Sequence, residues 1–304
     1  MWRCRWADSG AVRDLEVIGR HECRASDCRM TATGLHGSDR RQPSGVKGRA
    51  LDWVGLKMHG ATIARTGTIM FRRQLPRVYE LRDLAGAPVP PDAAFQTLEG
   101  RLQESPSCME VFGSLERQLD GLDDVAWAFL KSKAGRYLTV RHATRGWQQL
   151  VDALNEVRAY NYLKTIGCSD VQFIEESAKP RQQSPDLRAV LHGKTVLCEV
   201  KSINVSDREL QARQDSTAQE SQVHLDPGFL RKLKCDTKNA WKQLQAYIVA
   251  GEVRYFVYFI VCFDDWSGDY DDRYVDEIRR SLNENAISGR WTQFWTVPGC
   301  VADT

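Results

Sequence analysis

The sequence predicts an α/β protein in which helices pack on a mixed central sheet. One observation is a helical periodicity, because apolar side chains recur every three or four residues between Trp147 and Ile166. The other is a series of short runs, rich in β-branched and aromatic residues, in the second half of the chain. Helical and strand patterns that follow one another in this way favour a sheet covered by helices.

The first ninety residues are weakly patterned. Residues 1–50 hold ten basic and six acidic side chains with only short apolar clusters. We therefore predict a disordered basic tail, or a start codon placed too early, with Met30 or Met58 as the true start. A basic arm that grips phosphates is the alternative. Residues 51–92 are expected to be a small segment and a Pro- and Gly-rich linker. Two short strands are expected there, at Thr68–Phe71 and Arg77–Leu81.

Residues 93–145 are predicted to form a helical region that packs on the sheet. The pattern predicts three helices, at Ala93–Gln103, Met109–Leu122 and from Asp123 to Gly135.

Residues 146–304 carry the predicted sheet domain. Gly167 is the expected C-cap of its first helix. His192-Gly193 forms a tight turn, so the strands on either side of it form a hairpin. The expected elements after the first helix are strands Val171–Ile174, Asp186–Leu191 and Thr195–Ile203, helix Phe229–Ala250, strand Tyr255–Phe263 and helix Asp271–Asn283.

Composition excludes several classes of protein. With 42% hydrophobic and 27% charged residues, the 304-residue chain is neither wholly disordered nor fibrous. The net charge of +2 is too balanced to indicate a nucleic-acid partner by itself. Nine cysteines without a C-x-x-C pair favour free thiols in a reducing compartment. The longest apolar run, Tyr255–Phe263, is far shorter than the ~20 residues of a membrane span. We expect a cytoplasmic protein without a membrane partner.

Three residues of the predicted hairpin carry chemistry: Asp186, Glu199 and Lys201. Glu199 and Lys201 are two positions apart on one strand, so their side chains point to the same face. Val200 points to the opposite, apolar face. Two carboxylates and an ammonium would thus converge on an otherwise apolar strand, which is costly unless the carboxylates hold a metal ion or pair with the lysine.

These residue types suit the hydrolysis of a phosphodiester. Mg²⁺ is held by one or two carboxylates together with waters, and it neutralises charge and helps to make hydroxide. A lysine beside it can position or deprotonate the attacking water and stabilise the transition state. The plainer alternatives are a turn residue for Asp186 and an exposed cross-strand pair for Glu199 and Lys201. The apolar run just before Glu199 favours a buried strand.

The arrangement resembles the signature of the PD-(D/E)xK nuclease superfamily. Ser184-Pro-Asp186, then a hairpin, then Glu199-Val-Lys201 supply its central motif, and the resemblance covers residues 146–265. It implies a restriction-endonuclease-like core and a metal-dependent nuclease, with DNA favoured over RNA as the substrate. Asp186, Glu199 and the carbonyl of Val200 would bind Mg²⁺, for which Mn²⁺ could substitute. Lys201 would act on the attacking water.

The resemblance extends to the flanking helices. Glu156 stands where the family often carries a helical acid that assists the metal site, and its alternative is a solvent-facing helix residue. Gln243-Leu-Gln-Ala-Tyr247 resembles the Q-x-x-x-Y motif of RecB-like exonucleases, in which the glutamine and tyrosine contact substrate. They could also be ordinary residues at the edge of the core. No iron–sulfur cluster is expected, because the cysteines are scattered rather than grouped as a quartet.

A basic stretch lies in the same predicted helix. Lys234, Lys238 and Lys242 recur every four residues and so share one helix face. A solvated face and a phosphate track leading to the site both fit this pattern. In the second interpretation, Lys238 contacts the substrate.

Two alternatives to a nuclease function are compatible with the sequence. One is a catalytically silent nucleic-acid-binding module on a nuclease-like fold, since a fold does not fix a function. The other is an α/β domain in which the three polar residues coincide by chance. A homodimer or a protein partner would suit double-strand cutting, although the sequence indicates no interface.

Overall fold

The computed structural model describes residues 69–143, 145–175, 184–203, 224–247, 249–263, 271–284 and 290–298. The predicted tail at 1–50 and the alternative start sites lie outside the described residues. In this part of the chain, no helix is both long enough and apolar enough to cross a bilayer.

Five helices precede the sheet, and residues 69–74 are helical as well. In chain order they are α1 (Pro76–Leu84), α2 (Leu98–Glu104), α3 (Pro106–Asp120), α4 (Asp124–Gly135) and α5 (Gln148–Thr165). The predicted end of α4 at Gly135 is confirmed, whereas α2 begins five residues later than expected.

The two short strands predicted within residues 68–81 are wrong, because the described residues of both segments are helical. Phe71, Leu75 and Val78 recur at helical spacing and are all buried. The first N–H groups of α1 are bound by Glu116 of α3, whose carboxylate oxygens accept from the N–H groups of Arg77 and Val78, each at 2.9 Å. This long-range cap cannot be seen in the local sequence. Burial raises the pKa of the Glu116 carboxyl despite these two bonds.

The N-terminus of α4 is capped locally. The Asp123 carboxylate accepts from the N–H of Ala126 at 2.8 Å, as an N-cap residue should. Its other oxygen accepts from the hydroxyl of Tyr160 on α5, also at 2.8 Å. The bond from Ala126 and then the one from Tyr160 hold the pKa of Asp123 below its usual value. The cap therefore also joins α4 to α5.

The sheet domain follows the predicted order of helix, strand, hairpin, helix, strand and helix. Gly167 follows α5 with φ +87°, and His192 and Gly193 make the hairpin turn at φ +50° and +75°. The elements after α5 are β1 (Ser169–Phe173), β2 (Leu187–Leu191), β3 (Lys194–Ile203), α6 (Pro227–Ala246), β4 (Val253–Phe263), α7 (Asp271–Glu284) and β5 (Arg290–Pro298).

The strands form one mixed sheet in the order β1-β2-β3-β4-β5. β1, β2 and β3 pair antiparallel, whereas β3, β4 and β5 pair parallel. β5 is not among the strands predicted from the sequence. Its aromatic residues stand at positions 291, 294 and 295, a spacing that does not follow the alternation of a half-buried strand.

Helices cover both faces of the sheet, so the α/β prediction with a mixed sheet is confirmed. α4 and α5 contact the sheet on the side of the core that holds Val196, Cys198 and Val200, and α1 to α3 pack on these helices and on one another. α6 and α7 pack against the opposite face, which carries Leu197, Ile203 and Val257. A strand that alternates between two apolar layers in this way is buried on both sides.

Candidate active site

The two faces of β3 place the polar residues as their spacing predicts. Val196 and Cys198 are buried on the α5 side, and Val200 packs against the same cluster. Glu199 and Lys201 point to the α6 side, next to Leu197 and Ile203. Asp186 stands beside Glu199 across the β2–β3 ladder, one position beyond the pair formed by Leu187 and Cys198.

The ladder between β2 and β3 opens at Asp186. The Asp186 N–H still donates to the Cys198 carbonyl at 3.0 Å. The next N–H on β3, that of Val200, donates instead to the Asp186 carboxylate at 2.7 Å. A side chain therefore replaces the β2 backbone there. The Val200 carbonyl points to the same side of β3 as its N–H, toward this opening.

Glu199 is the most enclosed polar residue of the cluster, with a relative exposure of 2%. Its Oε1 accepts from Lys201 Nζ at 2.5 Å, and its Oε2 accepts from Gln243 Nε2 of α6 at 2.7 Å. Gln243 Nε2 also donates to the Ser184 carbonyl at 2.8 Å. Gln243 thereby ties α6 to the segment that leads into β2 and fixes the orientation of the Glu199 carboxylate.

Charge in the cluster is crowded. Burial, and then the neighbouring Asp186 carboxylate, raise the pKa of Glu199 to about 8. Burial alone would lower the pKa of the Lys201 ammonium, but its attraction to Glu199 and Asp186 outweighs burial and raises it. The raised pKa shows that Glu199 resists ionisation beside Asp186, and a cation bound between the two carboxylates would favour the ionised form of both.

The donors of the cluster suit a hard cation. Asp186 and Glu199 offer two carboxylates and Val200 offers a carbonyl, which matches the oxygen ligands of Mg²⁺. Among the described residues there is no group of three or more His, Cys, Asp or Glu side chains arranged to hold a metal ion. The remaining ligands of a Mg²⁺ ion here would therefore have to be waters or substrate oxygens.

The structure pairs Glu156 with a lysine of the helical region. α5 packs on the opposite face of the sheet, and the Glu156 carboxylate lies 2.7 and 2.9 Å from Lys133 Nζ of α4. Both side chains of this pair are about 10% exposed. Glu156 is also not the solvent-facing residue that the alternative interpretation described. Its position explains a link between two helices rather than a role beside Asp186.

Tyr247 and Lys238 lie outside the cluster as well. α6 ends at Ala246, and Tyr247 follows with extended backbone at φ −85° and ψ 108°. The predicted helix Phe229–Ala250 therefore extends four residues too far at its C-terminal end, and of Gln243 and Tyr247 only Gln243 is helical. Tyr247 packs against the core between α6 and β4. Lys238 is exposed on α6.

A second polar cluster, not predicted from the sequence, joins α5 to β3. Asn155 Nδ2 donates to Ser202 Oγ at 3.0 Å, and Gln148 Nε2 donates to Asp152 at 2.7 Å. Asp152 also interacts with the Ser202 hydroxyl, and burial raises its pKa. These residues join α5 to β3 at Ser202, which follows Lys201 in sequence and points to the opposite face of the sheet. The spacing of Asp152, Asn155 and Glu156 on one helix face was the available signal.

Comparisons with known proteins give no independent identification. The chain matches no family model, no curated protein and no solved structure.

Proposed function

We propose that this protein is a metal-dependent nuclease that hydrolyses phosphodiester bonds, with DNA as its substrate, and that its sheet domain is a restriction-endonuclease-like core. The observation that carries the proposal is the convergence of Asp186, Glu199, Lys201 and Gln243 where the β2–β3 ladder opens. The order of helix, strand, hairpin, helix and strand around that opening supports the proposed core.

In the proposed mechanism, Asp186, Glu199 and the Val200 carbonyl are the groups that would hold Mg²⁺. The bound ion would neutralise charge on the phosphate and make the attacking water more acidic. Lys201 is 30% exposed, so its ammonium can reach both Glu199 and the solvent side, where it positions the water and stabilises negative charge on the phosphate. Gln243 acts through Glu199 and is a positioning residue.

We assign Glu156 no step in this mechanism, because its carboxylate forms an ion pair with Lys133 of α4. Tyr247 and Lys238 remain substrate-contacting residues by prediction only. Neither has a contact with Glu199 or Lys201 in the described structure that would assign it a step.

The test is a cleavage assay with a matched lysine control. Supercoiled plasmid, linear duplex, single-stranded DNA and RNA are each incubated with Mg²⁺ or Mn²⁺. The proteins are wild type, Lys201→Ala and Lys194→Ala. Lys194 lies at the other end of β3 and forms a surface ion pair with Glu252, so its removal deletes one ammonium from the same strand without touching the cluster.

Cleavage by wild type and Lys194→Ala, lost in Lys201→Ala and in EDTA, is the expected result. DNA products without RNA products would support the substrate assignment. Folded wild-type protein that binds nucleic acid and cleaves none of the four substrates would contradict the proposal and support a catalytically silent binding module.

A further inference from the structure

Helix α6 exposes a basic stripe whose centre lies about 120° around the helix from the centre of its buried face. The basic stripe comprises four exposed side chains: Arg231, Lys234, Lys238 and Lys242. The buried face packs on β3 and β4 through Leu233, Thr237, Ala240, Trp241 and Leu244. With 100° between successive residues, the four basic side chains lie within an arc of about 80°. At 1.5 Å per residue, they extend along about 16 Å of the helix.

Positive charge is concentrated on this helix. The chain as a whole holds 42 basic and 40 acidic residues, yet α6 carries five basic residues and one acidic residue. That acidic residue, Asp236, lies 3.9 Å from Lys232, which is not part of the basic stripe. Within the described ranges, no member of the basic stripe forms an ion pair with a carboxylate. The charge of the basic stripe is therefore available to an external anion.

The basic stripe approaches the candidate site only at its Lys242 end. Lys242 is adjacent in sequence to Gln243, whose amide donates to Glu199. Lys242 and Gln243 point about 100° apart around the helix, and the other members of the basic stripe point about 120–180° away from Gln243. A polyanion lying along α6 would pass beside the cluster at the Lys242 end.

We propose that the basic stripe binds the sugar-phosphate backbone of DNA, without sequence preference, and holds the substrate beside the Asp186–Glu199 cluster. The inference rests on the proposed nuclease function, which is what makes DNA the ligand. Lys234, Lys238 and Lys242 repeat at about 6 Å along the axis, as a row of phosphate contacts would require. Flexible lysines recognise charge and position rather than base identity.

The test is equilibrium binding of fluorescein-labelled duplex DNA, measured by anisotropy in EDTA over a series of salt concentrations. The test variant is Lys238→Gln/Lys242→Gln. The matched control is Arg73→Gln/Arg117→Gln, which removes the same charge from exposed positions in the helical region. We expect the test variant to lose on the order of tenfold in affinity at moderate salt and its slope of log K against log salt to fall by about 2, at ~0.9 per phosphate contact. The control should stay within about twofold of wild type.

Equal weakening by both variants would show a net-charge effect and overturn the proposal, as would unchanged binding by the test variant. If the test variant fails to fold by circular dichroism, Lys234→Gln/Lys238→Gln takes its place under the same criteria. Single-stranded DNA, RNA and phosphatidylglycerol vesicles serve as further probes. A loss confined to RNA or to vesicles would overturn the assignment to DNA.

The binding assay separates this inference from the proposed function. DNA binding through the basic stripe without cleavage in Mg²⁺ would refute the nuclease and leave the binding surface standing. Cleavage that stays at the wild-type rate and KM in Lys238→Gln/Lys242→Gln would refute the binding surface and leave the nuclease standing.

Discussion

The ion pair between Lys133 and Glu156 allows a test of whether Glu156 stabilises the fold or takes part in catalysis. Lys133 Nζ lies 2.7 and 2.9 Å from the two carboxylate oxygens, and both side chains are about 10% exposed. Removing one partner of a buried pair typically costs about 3–5 kcal/mol, because the other charge stays in the interior. Glu156→Gln should therefore lower the free energy of unfolding by roughly 3 kcal/mol.

A double-mutant cycle isolates the pair from the rest of α4 and α5. Glu156→Gln, Lys133→Met and the double variant are unfolded in urea and followed by circular dichroism. The free energy of unfolding of the double variant should fall by less than the sum of the decreases in the two single variants, because replacing both partners of a buried pair is often tolerated. Single losses that add within about 0.5 kcal/mol would refute the pairing.

The same variant separates the two roles of Glu156. At a temperature where Glu156→Gln remains folded, its rate of DNA cleavage should stay close to that of wild type. An unchanged free energy of unfolding together with a large loss of cleavage would contradict the structural role and restore the metal-assisting role that the family resemblance implied.

Three further predictions concern buried or capping carboxylates. Glu199→Gln should abolish cleavage. In EDTA, the free energy of unfolding of wild type relative to this variant should fall as the pH rises from the unfolded pKa of a glutamate toward about 8, because burial and Asp186 raise the folded-state pKa of Glu199 to about 8; thermal unfolding over that pH range measures it, and a difference constant with pH would contradict it. Asp123→Ala should lower the free energy of unfolding by about 1 kcal/mol at pH 7, because it removes the N-cap of α4. Since the folded-state pKa of Asp123 is lowered, its contribution is present above the unfolded pKa and lost as the pH falls through the folded one. Urea unfolding at neutral and acidic pH should therefore show the difference shrinking, and a difference constant with pH would rule the cap out. Glu116→Ala should lower the free energy of unfolding by about 1–3 kcal/mol, because it leaves two N–H groups of α1 without their acceptor. Hydrogen exchange at Arg77 and Val78 should become faster in this variant, and unchanged exchange there would contradict the prediction.

The parts of the fold that depend on short-range signals were predictable. Alternation along β2 and β3 and the turn at His192-Gly193 specify a hairpin within eighteen residues. Asp186, Glu199 and Lys201 belong to that hairpin, so their convergence follows from local geometry alone. The roles assigned to them remain proposals.

Features that depend on contacts between residues far apart in sequence, or that lack a local sequence signal, could not be predicted from local patterns. The N-terminus of α1 is bound by Glu116, nearly forty positions away along the chain, and the strands expected there are helical. Glu156 was predicted to be a site residue because nothing in the sequence marks Lys133, 23 positions earlier, as its ion-pair partner. Tyr247 was placed on the helix because no glycine or proline marks the end of α6.

The measurement that tests the central claim most directly is the rate of plasmid cleavage as a function of Mg²⁺ concentration for wild type, Asp186→Asn and Asp170→Asn. Asp170 is an exposed aspartate of β1 at φ +50°, a conformation that asparagine tolerates, so it is a matched control. We predict cleavage that depends on Mg²⁺ in wild type and Asp170→Asn and is lost in Asp186→Asn. Equal cleavage by all three proteins would contradict the assignment of the active site to the opening between β2 and β3.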